Sequence, residues 1–508
     1  MASRTKNSII NSSVSIITQV LTVIINFIVK TVFIKVLGSE YLGLNGLFSN
    51  IITMLSLADL GIGIAVPYSL YKPLADKDEK KIKILMKYYA KIYNVIGIIV
   101  LSIGLALIPF LPFIIKDMPD IPNISLIYAL FVIHSASSYF FVYKKLLIDS
   151  DQKSYITSKI IFTCSTILSI IQVIILLLTK NYILFLLSSI ITVVLQNIYI
   201  CYKADTMYPY LKEKENDKLS KEEYKEIKRN ISSLFIYKVG SVVSNGTDNI
   251  VISKIIGLVA VGIYSNYLLI INSITNILNQ IFNAITSSIG NLVVTTNQKR
   301  SKEIYENLSF ANFVIYGFTS IGIFVLINPF IKIWIGKEYL LSPFVAFLLS
   351  FNLYIGGMNS VTTSFRNAYG LFYKAKYRPI FMCVLNLVVS VILAFPLGIA
   401  GVVIGTIISR IFTIVWLDPY VIYKYGFNES PKNYYFKYIE YLLIYLLLSI
   451  LLYFVFNLIP ITNIFLFIIA GILLTIVVIG FIIIVYNKSS EYHYLKSRMK
   501  PFVTKFLK

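Results

Sequence analysis

The amino-acid sequence predicts an all-α, polytopic integral membrane fold of about fourteen transmembrane helices. They are expected as two six-helix lobes related by a pseudo-two-fold axis, followed by two further helices. Three observations predict this. First, the 508 residues are 57% hydrophobic and only 14% charged. Runs such as LTVIINFIV, IIQVIILLL and GILLTIVVIGFIIIVY belong to segments near or above the ~20 residues a helix needs to cross a bilayer. Second, the polar connections alternate between strongly basic and lysine-poor. Third, the two halves repeat. The short alternating segments of a barrel are absent, so the backbone must satisfy its own hydrogen bonds as helices.

In chain order, spans 1 to 6 are expected over 9–37, 43–70, 84–111, 124–147, 155–178 and 182–203. Spans 7 to 12 follow over 231–256, 260–292, 308–334, 340–370, 377–397 and 399–423, and spans 13 and 14 over 434–458 and 463–487. The domains are then an N-lobe (1–203), a cytoplasmic linker (204–230), a C-lobe (231–424) and a segment 425–508 holding the last two spans and a basic tail. One set of connections is basic: KPLADKDEKKIK, YKKLLIDSDQK, KEKENDKLSKEEYKEIKR, NQKRSK, YKAKYR and the tail YLKSRMKPFVTKFLK. The other set is short and lysine-poor: GSEY, IIKDMPDIPN, TKN, GKEY and PLGIAG. Basic loops stay inside, so both termini are predicted to be cytoplasmic. The basic start MASRTKNSII leads into an apolar segment too long for a signal-peptide core and is read as the approach to span 1.

The same clustering of basic residues between spans accounts for the net charge of +22 without nucleic acid. Cys164, Cys201 and Cys383 lie in or at the ends of apolar segments and predict no disulfide framework. His134 and His493 are isolated, so no metal site is expected.

A shift of 219 residues lays KVLGSEYLG (Lys35–Gly43) over KIIGLVAVG (Lys254–Gly262), with Lys-x-x-Gly-x4-Gly in common. The same shift pairs Gln19 with Lys238, Thr22 with Ser241 and Asn26 with Asn245. Basic loops follow the even-numbered spans in both halves, so the halves share orientation and imply a path at their interface. On span 1, Gln19, Thr22, Asn26 and Lys30 fall on one helical face; on span 7, Lys238, Ser241, Asn245 and Asp248 do. Span 8 carries Asn272, Asn276, Asn279 and Asn283, and span 10 carries Asn352, Asn359, Thr363 and Arg366. An ionised side chain at mid-bilayer costs at least ~2.5–3.5 kcal/mol, so these faces are expected to line a shared wet cavity. The competing arrangement is a dry bundle with interhelical hydrogen bonds, each contributing about 0.6 kcal/mol.

Cations at depth are Lys30, Lys159, Lys238, Arg366 and Arg410, against the acids Asp59 and Asp248. That balance favours an anionic substrate, and guanidinium groups suit phosphate. Lys159, Lys238 and Arg366 lie near the cytoplasmic ends of their helices, where snorkelling is an alternative. Asp248 has two candidate roles: pairing with a cation, or binding a coupling proton or sodium ion. Asp59 in LADLGIG is read as a packing or gating residue. The lysine-, isoleucine- and asparagine-rich composition fits a bacterial, AT-rich source.

KVLGSEYLGLNGLFSNIITMLSLADLGIGIAVPYSLYKPLADKD, LFIYKVGSVVSNGTDNIVISKIIGLVAVGIYSNYLLIINSITNILNQIF and FRNAYGLFYKAKYRPI resemble the Wzx-type polysaccharide flippases, in the polysaccharide-transporter branch of the MATE-like (MOP) exporter superfamily. The resemblance implies two six-helix lobes plus two trailing helices, and alternating access around a cationic cavity. It further implies a substrate, an undecaprenyl-diphosphate-linked oligosaccharide carried across the plasma membrane for capsule, exopolysaccharide, O-antigen or teichoic-acid-type export. A polysaccharide polymerase and glycosyltransferases are the implied partners. Lys30, Lys159, Lys238, Arg366, Arg410, Asn26, Asn245, Asn272, Asn276 and Asn359 would meet the diphosphate and sugars, and Asp59 and Asp248 would couple an ion or pair charge. No catalysis and no cofactor are implied beyond H⁺ or Na⁺ coupling, and no GxxxxGK[ST] phosphate loop is present. The alternatives are a lipid II flippase and a MATE-type multidrug exporter; the latter should show acids outnumbering bases in its cavity.

Overall fold

The computed structural model describes residues 2–55, 62–116, 119–213, 219–220, 222, 224–225, 247–295, 297–375 and 377–497. No strand occurs among the described residues. Among the described residues eleven helices are long and apolar enough to cross a membrane, and twelve if the bent pair Ile124–Tyr139 and Val142–Ser150 is one span. The two remaining expected spans, 2 and 7, run into residues 56–61 and 226–246, outside the described residues. The protein is a multi-pass, all-helical membrane protein.

Two compact units divide the chain, Met1–Ser265 and Asn266–Lys508. Within the first unit, residues 258–265 pack against residues 39–46.

In the first unit, spans 1 and 2 share one helix, Ala2–Leu55, broken only at Gly38 (φ 84°, ψ −174°). Glycine takes a left-handed φ without the Cβ penalty, so it sets the turn. Span 3 (Glu79–Ala106) starts at Asp78, whose carboxylate accepts the Lys81 N–H at 2.9 Å. Span 4 bends by 44° at Phe140–Phe141. The Phe140 carbonyl at this bend accepts Asn197 Nδ2 from span 6 at 3.0 Å, so the broken helix leaves it satisfied. Span 5 (Ser154–Thr179) and span 6 (Tyr182–Met207) form a hairpin, with Asn181 capping the second helix through the amides of Ile183 and Leu184. At the basic-loop end Lys144 pairs with Asp205 at 2.6 Å, and Tyr208 donates to Asp151 at 2.7 Å.

In the second unit, spans 9 (Gln298–Trp334), 10 (Pro343–Met358 and Ser360–Ala368) and 12 (Ile399–Phe427) are the most buried. Span 11 (Arg378–Leu397) lies against span 12 because Gly401 and Gly405 remove side chains where the helices touch. A Cβ on Gly401 would sit 2.0 Å from the Leu393 carbonyl, and one on Gly405 2.2 Å from Ser390 Oγ. This is the small-x3-small spacing that lets membrane helices approach closely. Spans 13 (Lys432–Asn457) and 14 (Ile464–Tyr486) dock on the same unit through aromatic rings. Phe313 stacks on Tyr441 at 4.3 Å, Tyr354 on Tyr445 at 4.2 Å, and Phe310 meets Tyr486 edge-on at 5.0 Å. Their other faces, with Leu443, Leu447, Ile472 and Ile476, are exposed, as lipid-facing surface should be.

Candidate functional site

The Lys-x-x-Gly-x4-Gly repeat is visible in three dimensions. Gly257 has φ 129°, so each copy turns on its first glycine, at Gly38 and Gly257. The second glycines face one another. A Cβ on Gly43 would lie 2.1 Å from the Leu258 carbonyl oxygen, and one on Gly262 2.7 Å from the Ser39 carbonyl oxygen. Gly46 likewise abuts Ser265, where a Cβ would fall 2.5 Å from Oγ. Every partner is its own repeat mate's partner: Ser39 corresponds to Leu258, Gly43 to Gly262 and Gly46 to Ser265 at the shift of 219. Such reciprocal contacts are what a local two-fold relation produces. Beside them, the Lys116 amide and Nζ bond the carbonyls of Ser253 (3.3 Å) and Ile255 (3.1 Å).

Next to this contact Asp248 is buried and accepts Tyr264 Oη at 3.4 Å. The buried atoms Asn249 Oδ1, Ser253 Oγ and Ser265 Oγ have no hydrogen-bond partner among the described residues. Lys238 and Asn245, the upper part of the same stripe, and Asp59 lie outside the described residues.

The stripe on span 1 is described. Gln19, Thr22, Asn26 and Lys30 make no side-chain hydrogen bond or ion pair among the described residues, and Asn26 is exposed. Asn272, Asn276 and Asn279 on span 8 are likewise exposed and without such bonds. Polar groups in membrane helices that pack against protein normally find partners. These two faces are therefore uncommitted within their own units. Lys159 is exposed near the start of span 5.

In the second unit the arginines at depth, Arg366, Arg378 and Arg410, are committed. Arg366 was expected on a shared cavity; its side chain is instead 0% exposed, and Nη1 donates to Asp418 Oδ1 at 2.6 Å. Arg378 Nη1 bonds Asp418 Oδ2. Asn359, also expected on the cavity, donates Nδ2 to Asp418 Oδ2 and to Thr363 Oγ1, both at 3.0 Å. One buried carboxylate thus holds two guanidinium groups and an amide, because burial without pairing would be prohibitive. The span 10 break lies within this network. Asn312 Nδ2 on span 9 caps the carbonyls of Gly357 and Met358 at 2.9 and 3.0 Å. Arg410 is half-buried and donates Nη1 to the Asn352 carbonyl at 2.7 Å. It reaches that point over Gly356, where a Cβ would lie 2.3 Å from Nη1. A π-helical turn, Ile411–Val415, follows Arg410 directly and shifts the register between it and Asp418.

Sequence reasoning missed Asp418 and Arg378. A signal existed for the acid: Asp418 is the single acidic residue in GVVIGTIISRIFTIVWLDPYVIY. Arg378 sits at a predicted helix start, where a basic residue reads as an interfacial anchor.

These features define a class of fold, a polytopic, all-helical membrane fold that solved MATE-family and MurJ structures share. The chain is similar to the lipid II flippase MurJ in its inward closed conformation, with TM-score 0.63 and 16% identity over 93% of this chain and 98% of that one. It is also similar to an inward-facing MATE-family multidrug resistance transporter of the MOP superfamily (TM-score 0.59, 15% identity, 79% and 97% covered). A mutant of the Vibrio cholerae MATE transporter VcmN gives TM-score 0.58 at 14% identity, with 85% and 99% covered. No protein-family model and no curated protein matches the sequence. A match over 93% of this chain cannot fit within residues 1–424, so the likeness to MurJ extends into the segment that carries spans 13 and 14.

Proposed function

We infer that the chain is a flippase for a lipid-linked oligosaccharide, moving a polyprenyl-diphosphate repeat unit across the plasma membrane by alternating access for surface-polysaccharide export. The observation that carries this reading is the pair of uncommitted polar faces on spans 1 and 8, which offer amides, a hydroxyl and Lys30 but no acid. Amides and hydroxyls suit sugar hydroxyl groups, and Lys30 suits a phosphate. Asp248 and Asp418, the acids inside described apolar segments, are both buried and hydrogen-bonded, so they offer a cationic drug little. That argues against the multidrug exporter. The match to MurJ, which reaches into the segment that carries the trailing helices, supports a lipid-linked cargo, and the resemblance of the repeat segments to polysaccharide flippases favours an oligosaccharide over lipid II. A polymerase and glycosyltransferases would act after and before it, in a bacterial membrane with both termini cytoplasmic.

In proteoliposomes, wild-type protein should expose a polyprenyl-diphosphate oligosaccharide to an external lectin. Lys30→Ala should lower that rate at least tenfold with normal insertion, as loss of one charge-assisted phosphate contact implies. Equal rates in the two proteins, or no flipping by wild type while a labelled cationic drug is moved, would refute the reading. Asp248 is the group we assign to proton or sodium coupling. Asp248→Asn should retain flipping that no longer responds to an imposed ion gradient; an unchanged gradient response would return Asp248 to a structural role.

A further inference from the structure

At the lysine-poor end of the second unit, a cavity of about 310 Å³ opens between the end of span 9, the start of span 10 and the turn joining spans 13 and 14. Its wall carries three polar features. Lys332 is exposed and forms no ion pair or hydrogen bond among the described residues. Asn457 is also exposed, with its side-chain amide unused among the described residues. The Val325 carbonyl faces Pro329 one turn on, and proline has no N–H to return to it. The rest of the wall is apolar, with Phe324, Tyr453 and Phe456 prominent. Asn328 keeps the wall in place, accepting Tyr267 Oη at 2.6 Å and donating to the Leu341 carbonyl at 3.1 Å.

Nearer the middle of span 9, a second hollow of about 430 Å³ runs between that helix and span 14 and is lined almost wholly by apolar side chains. It exists because Gly322 and Gly471 present no side chain: a Cβ on either would reach only the tip of Leu474 or Leu326, at 3.9 Å. Both hollows border span 9, so a cation and unused hydrogen-bonding groups at the helix end and an apolar trough nearer mid-membrane lie along one helix and match one ligand chemistry.

We propose that these two hollows form one binding site for an anionic glycerophospholipid. Its phosphodiester meets Lys332 and Asn457, a headgroup hydroxyl donates to the Val325 carbonyl, and an acyl chain fills the trough at Gly322 and Gly471. The trough is what distinguishes a lipid from a soluble phosphate ester, which would use only the upper cavity. The site is separate from the polar faces on spans 1 and 8, so its occupancy does not depend on the flippase reading.

The test is lipid retention by full-length protein purified in mild detergent and exchanged with phosphatidylglycerol, phosphatidylcholine or glycerol phosphate, read by native mass spectrometry. Wild type should keep phosphatidylglycerol and release phosphatidylcholine. Lys332→Gln should bind phosphatidylglycerol about tenfold more weakly, the loss of one charge-assisted contact. Gly471→Leu, which fills the trough without touching the cation, should weaken it as well. Both changes lie on accessible surface, and an unaltered melting transition checks the fold. Equal retention by wild type and Lys332→Gln would overturn the proposal. So would binding of glycerol phosphate as tightly as the lipid, because the trough would then contribute nothing.

Discussion

Asp418→Ala is expected to destabilise the second unit by about 3–5 kcal/mol, the usual cost of removing one partner from a buried ion pair. The carboxylate holds Arg366, which is fully buried, and Arg378, which is nearly so. Without it two buried guanidinium groups lose the carboxylate they share, and Asn359 loses the acceptor that fixes the span 10 break. Folded yield and the thermal midpoint in detergent should both fall sharply. The double change Arg366→Met with Asp418→Leu should be milder, since it leaves only Arg378, whose side chain is 8% exposed and lies closest to the edge. A single Asp418→Ala variant as stable as wild type would show that the cluster is not the structural pin described above.

The second large effect is expected at Gly43. A methyl group there would sit 2.1 Å from a backbone oxygen of Leu258, which no side-chain rotation relieves. Residues 39–46 and 258–265 must then part, and the reciprocal contact between the repeats is lost. Ser265 reports this directly, because its Oγ is buried in that contact. With Cys164, Cys201 and Cys383 replaced by serine, Ser265→Cys should resist a water-soluble maleimide. Adding Gly43→Ala should make it react, and Gly262→Ala should act alike because the contact is reciprocal. Unchanged protection in both variants would mean that the packing tolerates a side chain. If the flippase reading holds, the same variants should also show altered transport, since the contact joins the starts of spans 2 and 8, the second helices of the two repeats.

The helical, membrane-spanning character was written in local properties. Length and apolarity of each run decide whether it crosses a bilayer, and a reader needs only a window of about 20 residues to see that. Glycine spacing is also local, so Lys-x-x-Gly-x4-Gly announced two equivalent turns, and the left-handed φ values at Gly38 and Gly257 follow from that residue alone. The spacing did not say that Gly43 and Gly262 would touch, because 219 residues separate them.

Polar side chains inside the spans divide along the same line. Helical periodicity placed Gln19, Thr22, Asn26 and Lys30 on one face from the sequence itself. Whether a given charge is spent on structure or left available depended on partners far along the chain. Arg366 and Asn359 looked like Lys30 in the sequence, yet the tertiary structure gives them Asp418, 52 and 59 residues away, and leaves the span 1 face without a partner among the described residues. The physical reason is that the cost of a charge in hydrocarbon is fixed by its surroundings, not by its identity. Sequence therefore determined which segments enter the membrane and where they turn, and only packing decided which charges are neutralised there.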